Sequence, residues 1–331
     1  MSNRITEAPI LPNRCCTQPI LGRVHHCDWI NNGLPDKSVK LIIADPPYFE
    51  VKGEFDFKWK SFNDYLIDVE KWAIECKRLL ADNGTLFWYG HAKKIAYTQV
   101  IFDKYFNLEN HIKWRKTDCQ TRKGYETYRL FPPVTEHILM YSNETYNLTT
   151  CVNDVRDYIR NEIIRAKGKI VLKEVNEALG TATNGGGVAS ACLSLDKAEP
   201  TMFTKEMYQK LQVWLNNGKE YEYLRKEYEE LRRTFNNTMR LEDVWDLAQD
   251  VHITGEYEHP TKKTEKLARI MINSTTIAKD LILVPFAGSG TEVAMAIKEG
   301  RQAIGFDVEE KYCQMSNDRI NKILSAPELF A

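Results

Sequence analysis

The apolar run Leu41-Ile42-Ile43-Ala44 breaks off at Asp45-Pro46-Pro47-Tyr48, and this junction constrains the fold more than any other feature of the chain. A short apolar run without a polar face reads as a strand covered on both sides, as in parallel α/β sheets. Two successive prolines fix φ and remove two backbone donors, so pairing stops there. The tetrapeptide then lies at a strand's carboxyl end, where open α/β sheets place their ligands. An Asp oxygen and a proline carbonyl can take the two protons of a planar amino group while an aromatic ring covers its face. Taken alone, the motif reads almost as well as a strand that ends in a rigid turn.

The neighbouring sequence repeats the strand and helix alternation. Val39–Ala44 is a strand, and Phe62–Leu80 is an amphipathic helix on which Tyr65, Val69, Trp72, Cys76 and Leu79 recur at helical spacing. Asp82-Asn83-Gly84 is a turn before a strand at Thr85–Tyr89, and Ile95–Phe102 is helical. His111–Trp114 and Val134–Tyr141 are strands separated by the basic, aromatic loop Lys116–Pro133. From about His259 the alternation resumes: helix Thr261–Asn273, strand Leu281–Val284, helix Ser289–Glu299, strand Gln302–Phe306 and helix Glu309–Leu324. Neither piece has enough strands for a stable sheet, and together they would make one doubly wound, mostly parallel α/β sheet.

The middle, about Cys151 to Trp245, is helical and richly charged. Ile170–Leu179 and Val188–Leu193, joined through Gly180 and Asn184-Gly185-Gly186-Gly187, read as helix, turn, helix; an ordinary helical hairpin is the blander alternative. Tyr221, Leu224, Tyr228, Leu231 and Phe235 form a two-heptad apolar seam. It is shorter than a coiled coil needs, so it packs on its own domain or, on the sharper reading, against a second copy.

Composition excludes several classes. The 331 residues are 43% hydrophobic and 27% charged, with no run of transmembrane length and no secretory signal within Met1–Arg14. Eight scattered cysteines read as reduced cytosolic thiols, so the expected location is cytoplasmic. Cys15, Cys16, His25, His26 and Cys27 match no standard zinc spacing, and no metal is expected. The net charge of −1 means that any polyanion must be met by local patches. His111–Arg129 carries six basic residues against two acidic ones, and Arg160–Lys173 carries five against one. Clusters of this kind touch phosphate or are simply solvated faces.

The second chemical motif, Phe286-Ala287-Gly288-Ser289-Gly290-Thr291, follows the strand Leu281–Val284 and opens a helix. Glycines there permit a tight turn and close approach of a ligand to the backbone. Asp307, after the next strand, stands where an acid commonly meets ribose hydroxyls. Val293 and Ala294 replace the third glycine of a nicotinamide fingerprint.

With both motifs in this order, the chain resembles the β class of S-adenosylmethionine-dependent DNA amino-methyltransferases. That class places the Asp-Pro-Pro-Tyr half before its target-recognition region and the Phe-x-Gly-x-Gly half after it. His26-Cys27-Asp28, Leu34-Pro35-Asp36-Lys37-Ser38-Val39, Gly84–Phe87, Glu136-His137-Ile138-Leu139 and His259-Pro260-Thr261-Lys262-Lys263 are similar to further family stretches. Val284, Lys40, Lys262 and Thr264 depart from them. The resemblance implies a circularly permuted Rossmann-like sheet with a catalytic half (1–150), a helical target-recognition insert (151–250) and a cofactor half (251–331).

The resemblance also implies site-specific N6-adenine methylation in double-stranded DNA, within a restriction-modification, orphan or phage system. Asp45, Pro46, Pro47 and Tyr48 would be catalytic. Asp45, Phe286, Gly288, Gly290 and Thr291 would lie beside S-adenosylmethionine, with Asp307 at its ribose, Asp28 at its adenine and Lys263 at its carboxylate. The base would be flipped out and stacked on Tyr48, with Phe49 and Trp59 either closing over it or packing ordinarily in the loop. Arg115, Lys116, Arg122, Lys123, Arg165, Lys167 and Lys169 would contact DNA. A second copy of the chain and a cognate restriction endonuclease are the expected protein partners. The competing readings are an N4-cytosine enzyme, a methyltransferase of RNA or of a protein amide, and a DNA-binding protein with a decayed catalytic domain.

Overall fold

In the computed structural model the described residues are 19–51, 58–117, 129, 131, 133–143, 148–183, 187–195, 201–216, 233–249 and 263–325. The chain divides into two compact units, Met1–Glu144 with Thr234–Ala331, and Thr145–Arg233. The strands, all in the first unit, are β1 (Arg23–His26), β2 (Val39–Ala44), β3 (Leu80–Gly90), β4 (Phe106–Lys116), β5 (Thr135–Asn143), β6 (Val244–Leu247), β7 (Leu281–Val284) and β8 (Gln302–Asp307). The helices are α1 (Phe62–Leu79), α2 (Ile95–Phe102), α3 (Leu148–Lys167), α4 (Leu172–Leu179), α5 (Gly187–Leu193), α6 (Lys205–Leu215), α7 (Glu265–Thr275), α8 (Thr291–Lys298) and α9 (Glu310–Ser325).

The strands form one sheet in the order β1-β8-β7-β2-β3-β5-β4-β6. β5 runs antiparallel to both of its neighbours, and the other pairs are parallel. Alternate side chains feed two cores. Leu41, Ile43, Phe87, Tyr89, Ile138, Met140 and Ile282 pack with residues of α7, α8 and α9. Ile42, Ala44, Leu86, Trp88, Leu139, Tyr141 and Leu283 pack with residues of α1 and α2. A sheet buried on both faces needs apolar residues at consecutive positions, which explains the unbroken run in β2.

Helix α1 begins where Ser61 Oγ accepts the Asp64 N–H at 3.2 Å. Its buried stripe includes Tyr65, Val69, Trp72, Cys76 and Leu79, the spacing seen in the sequence. The turn expected at Asp82-Asn83-Gly84 lies inside β3 as a bulge: Val39 faces Leu80, while Leu41 faces Thr85. Lys37 pairs with Asp82 at 2.8 Å and Lys40 bonds Asn83. These pairings let the polar residues loop out while the strand continues on both sides. Helix α7 begins at Glu265, after Thr264 in an extended conformation at φ −72° and ψ 140°, and the expected start Thr261 lies outside the described residues. Strand β6 was not evident in the sequence. It pairs with β4, and its residues lie in the sheet unit although the sequence reading placed them in the insert.

The second unit has its own core, formed by Val155, Ile159, Ile163, Val175, Leu179, Leu193, Phe203, Leu211 and others from α3 to α6. Gly180 ends α4 in the left-handed region at φ 71°. Asn176 Oδ1 accepts the Ala189 N–H at 2.9 Å and so ties α5 to α4. Of the apolar seam, Tyr221, Leu224, Tyr228 and Leu231 lie outside the described residues. No described helix is long and apolar enough to cross a membrane. Among the described residues no acidic, His or Cys cluster could hold a metal, and Cys15 and Cys16 lie outside them.

Gly290 caps α8 at φ 66°, and a Cβ there would stand 2.6 Å from the Ser316 Cβ on α9. Gly290→Ala is therefore expected to lose roughly 1–3 kcal/mol of stability. A urea unfolding midpoint equal to that of the wild type would contradict this packing.

Candidate active site

Strands β2 and β7 lie side by side, with Leu41 opposite Ile282 and Ile42 opposite Leu283. From this pair the chain winds one way to β3 and the other way to β8, so the carboxyl ends of β2 and β7 border the switch-point crevice. Asp45-Pro46-Pro47-Tyr48 leaves β2 there, and the glycine turn leaves β7 on the adjoining strand. Because β5 runs backwards, its amino end also reaches this edge, with His137 opposite Gly90. That reversal delivers Glu136 to the site.

Asp45 is held from two sides. Tyr48 Oη donates to Asp45 Oδ1, and Lys263 Nζ lies 3.0 Å from Asp45 Oδ2. Lys263 also donates to Glu136 Oε2 at 2.7 Å and to Tyr48 Oη at 3.4 Å, and it lies 4.8 Å from the Tyr89 ring centroid. Lys116 Nζ donates to the other Glu136 oxygen and lies 5.1 Å from the Trp114 ring. Burial raises the Asp45 carboxyl above its ordinary range, and Lys263 is the main opposing influence. Burial alone would raise Glu136 as well, but Lys263 and Lys116 together hold it at about 2. Burial, reinforced by Asp45, pushes the Tyr48 hydroxyl well up, so it acts as a donor.

The glycine turn is tied to the next strand. Gly288 N–H donates to Asp307 Oδ2 at 2.8 Å, Glu309 N–H donates to Oδ1 at 2.9 Å, and Ser316 Oγ donates to the Gly288 carbonyl at 3.0 Å. Thr291 is fully buried, and its Oγ1 accepts from Arg319 Nη1 at 2.9 Å. The Phe286 ring sits among Trp29, Trp72 and Trp88. Asp28 is exposed and caps the short 3-10 turn Trp29–Asn31 through the Ile30 N–H at 3.1 Å.

Other expected contacts divide by environment. Phe49 packs on Phe62 and Tyr65, and Trp59 on Tyr65 and Trp72, so both belong to an aromatic cluster around α1. Arg115 is paired with Asp246 across β4 and β6, while Lys116 is turned inward to Glu136. In the other unit Arg165 pairs with Glu162, Lys167 lies 4.6 Å from the Trp214 ring, and Lys169 is exposed. Arg122 and Lys123 lie outside the described residues. A groove of about 940 Å³ lined by Phe87, Ile112, Met140, Trp245 and Ile270 contains none of the residues expected at the site.

Two charged residues were given no role from the sequence. Glu136 entered only within the family-like stretch Glu136-His137-Ile138-Leu139, and it shares a sheet face with Ile138 and Met140. Glu292 interrupts the apolar helix α8 and is 6% exposed. Burial pushes Glu292 up to about 7; its own helix amide opposes this, Asp45 adds to it, and Lys263 and Arg319 counter it. A carboxyl raised by folding costs stability as pH climbs from its unfolded value through its folded one, here from 4.5 to about 7. Glu292→Gln is expected to match the wild type near pH 4.5 and to exceed it by about 3 kcal/mol at pH 8. Urea unfolding at the two pH values checks this, and an absent gain at pH 8 would contradict it.

The model of the family described as DNA methylase matches residues 39–318. The chain is 26% identical over 294 residues to the DNA adenine methyltransferase YhdJ of Escherichia coli (strain K12), covering 87% of this chain and 78% of that protein. It is 25% identical over 296 residues to the Type II methyltransferase M.HpaI of Haemophilus parainfluenzae, covering 87% of this chain and 70% of that protein. The fold is similar to the crystal structure of the M1.HpyAVI-SAM complex, with a TM-score of 0.52 at 17% identity over 90% of this chain and 98% of that one. A match spanning both motifs, the insert and all but the first strand of the sheet has one meaning: the chain belongs to the DNA methylase family.

Proposed function

We infer that the protein methylates the N6 amine of adenine at specific sites in double-stranded DNA, with S-adenosylmethionine as donor. The observation that carries this reading is the meeting of Asp45 and the glycine turn on adjacent parallel strands at the switch point. Support for adenine comes from Asp, in place of the Ser more frequent in the N4-cytosine enzymes, at position 45, and from the name of the relative YhdJ.

The residues present fit the cofactor. The turn between β7 and α8 carries little side-chain bulk at Gly288 and Gly290, helix α8 opens at this edge, and an acid ends β8. Phe286, Gly288 and Gly290 would form the floor, with Thr291 buried beneath it, Asp307 toward ribose hydroxyls and Asp28 toward the adenine ring. When bound, S-adenosylmethionine supplies an electrophilic methyl group.

The chain's own residues would prepare the acceptor. The amine is a poor nucleophile because its lone pair is delocalised into the ring. Asp45 and the Pro46 carbonyl would accept its two N–H bonds and favour a tetrahedral nitrogen, whose lone pair then faces the methyl. Catalysis of this kind is positioning and electrostatics, with no covalent enzyme intermediate. The amine must shed one proton when it is methylated, and Asp45, whose buried carboxyl is raised toward proton acceptance, would take it. Pro47 would stiffen the turn, and Tyr48 would stack on the flipped base, an extrusion that costs a few kcal/mol. Arg115, Lys116, Arg122, Lys123, Arg165, Lys167 and Lys169 remain the candidate DNA contacts. A second copy of the chain and a cognate endonuclease remain the candidate protein partners, in a cytoplasmic setting.

Labelled methyl transfer to unmethylated duplex DNA, followed by nucleoside analysis, tests the reading. N6-methyladenine is expected; N4-methylcytosine would move the target to another base, and label in RNA or protein but not DNA would refute it. Asp45→Ala is expected to lower transfer by about 10³-fold or more while cofactor binding largely survives. A variant as fast as the wild type would remove Asp45 from the mechanism.

A further inference from the structure

Lys263 was expected beside the cofactor's carboxylate, but its surroundings point elsewhere. Its side chain is 6% exposed. An ammonium has three protons to donate and no acceptor. Three oxygens of this chain stand around it: Asp45 Oδ2 at 3.0 Å, Glu136 Oε2 at 2.7 Å and Tyr48 Oη at 3.4 Å. Its donors are therefore fully engaged inside the protein.

We propose that Lys263 is a positioning residue, which is anchored on Glu136 and holds the Asp45 carboxylate oriented and ionised for the target amine. The proposal rests on the methyltransferase reading above. Glu136 is itself fixed from its other oxygen by Lys116, so charges alternate along Asp45, Lys263, Glu136 and Lys116. The chain of pairs joins β2, the segment before α7, β5 and β4. A buried charge that loses its partner is strongly destabilising or changes its protonation. Without Lys263, Asp45 and Glu136 become two carboxylates sharing one dry site.

Among the described residues the groups that face Asp45 are Lys263, Glu136, Tyr48, Tyr89 and Glu292. Of these Lys263 is the cation, and it opposes the upward pull of burial. Its removal sends the Asp45 carboxyl further up. A protonated Asp45 presents an O–H where an acceptor is needed, so activity falls away at a higher pH than in the wild type.

The test compares the full-length wild type with Lys263→Met and Lys263→Arg. Single-turnover methyl transfer to duplex DNA is measured from about pH 5.5 to about pH 9, alongside S-adenosylmethionine affinity. For Lys263→Met the acid limb should move up by about one pH unit or more, and the plateau rate should fall about 100-fold. Its cofactor dissociation constant should stay within about threefold of wild type. Lys263→Arg should restore the limb to its wild-type position and part of the rate. Repeating the series in a Glu292→Gln background removes the other carboxyl that titrates nearby, and the displaced limb should persist. An unmoved limb with cofactor affinity lost tenfold or more would overturn the proposal in favour of a cofactor contact. A wild-type rate and profile would overturn it outright. Carboxyl-carbon NMR reads the Asp45 titration without DNA. A titration unmoved in Lys263→Met overturns the proposal even where the wild type methylates no DNA, whereas that failure alone overturns the functional reading. Lys263→Gln carries the same measurements where Lys263→Met does not fold.

Discussion

The pairing of β2 with β7 is the contact on which the rest of the structure depends. Leu41 faces Ile282 and Ile42 faces Leu283, so segments about 240 residues apart in sequence lie next to each other in the sheet. Without this seam, the sheet would fall into a three-strand fragment, β1-β8-β7, and a five-strand fragment, β2-β3-β5-β4-β6. Each fragment would expose apolar edges and carry half of a site. Joined, they place Asp45 and the glycine turn on neighbouring strand ends. The crevice is a product of that join and is encoded in neither segment alone.

The second constraint is charge. Four ionisable groups, Asp45, Lys263, Glu136 and Lys116, are drawn into a little-hydrated edge of the sheet, and they balance as two carboxylates against two ammonium groups. Balance lets the sheet tolerate a carboxylate deep enough to have its affinity for protons raised while still being present as an anion. The reversal of β5 makes this arrangement feasible. A strand running the other way would carry Glu136 to the far end of the sheet.

The fold was legible where the local pattern and the tertiary environment agree. Leu281–Val284 and Ile95–Phe102 have the bounds read from the sequence, since a buried strand and a helix with one buried face leave their spacing in the residues. Asp82-Asn83-Gly84 reads as a turn from its residue types, yet pairing on both sides absorbs it into β3. Strand β6 has four residues and little periodicity, and its pairing with β4 is decided by the sheet. In the site, Asp45 and the glycine turn could be found because each is a compact motif at a strand end. The place of Glu136 in the site, beyond its membership of a family-like stretch, and the inward turn of Lys116 could not, because a single charge carries no spacing. The second partner of Lys263 likewise depends on which strand runs backwards.

The order of the strands along the sheet also bears on how the chain is made. Strand β1 pairs with β8, Val24 opposite Gly305, and β2 pairs with β3 on one edge and β7 on the other, so β1 and one edge of β2 stay unpaired until the last segment of the sheet emerges from the ribosome. At ordinary elongation speeds a separation of about 240 residues is a delay on the order of 10–50 s. During that interval the apolar edge of β2 is a template for any other extended chain. The helical unit, whose core is drawn entirely from residues between Thr145 and Arg233, is synthesised within the same interval and can complete its own packing first. Permutation thus trades early closure of the sheet for an insert that matures on its own schedule.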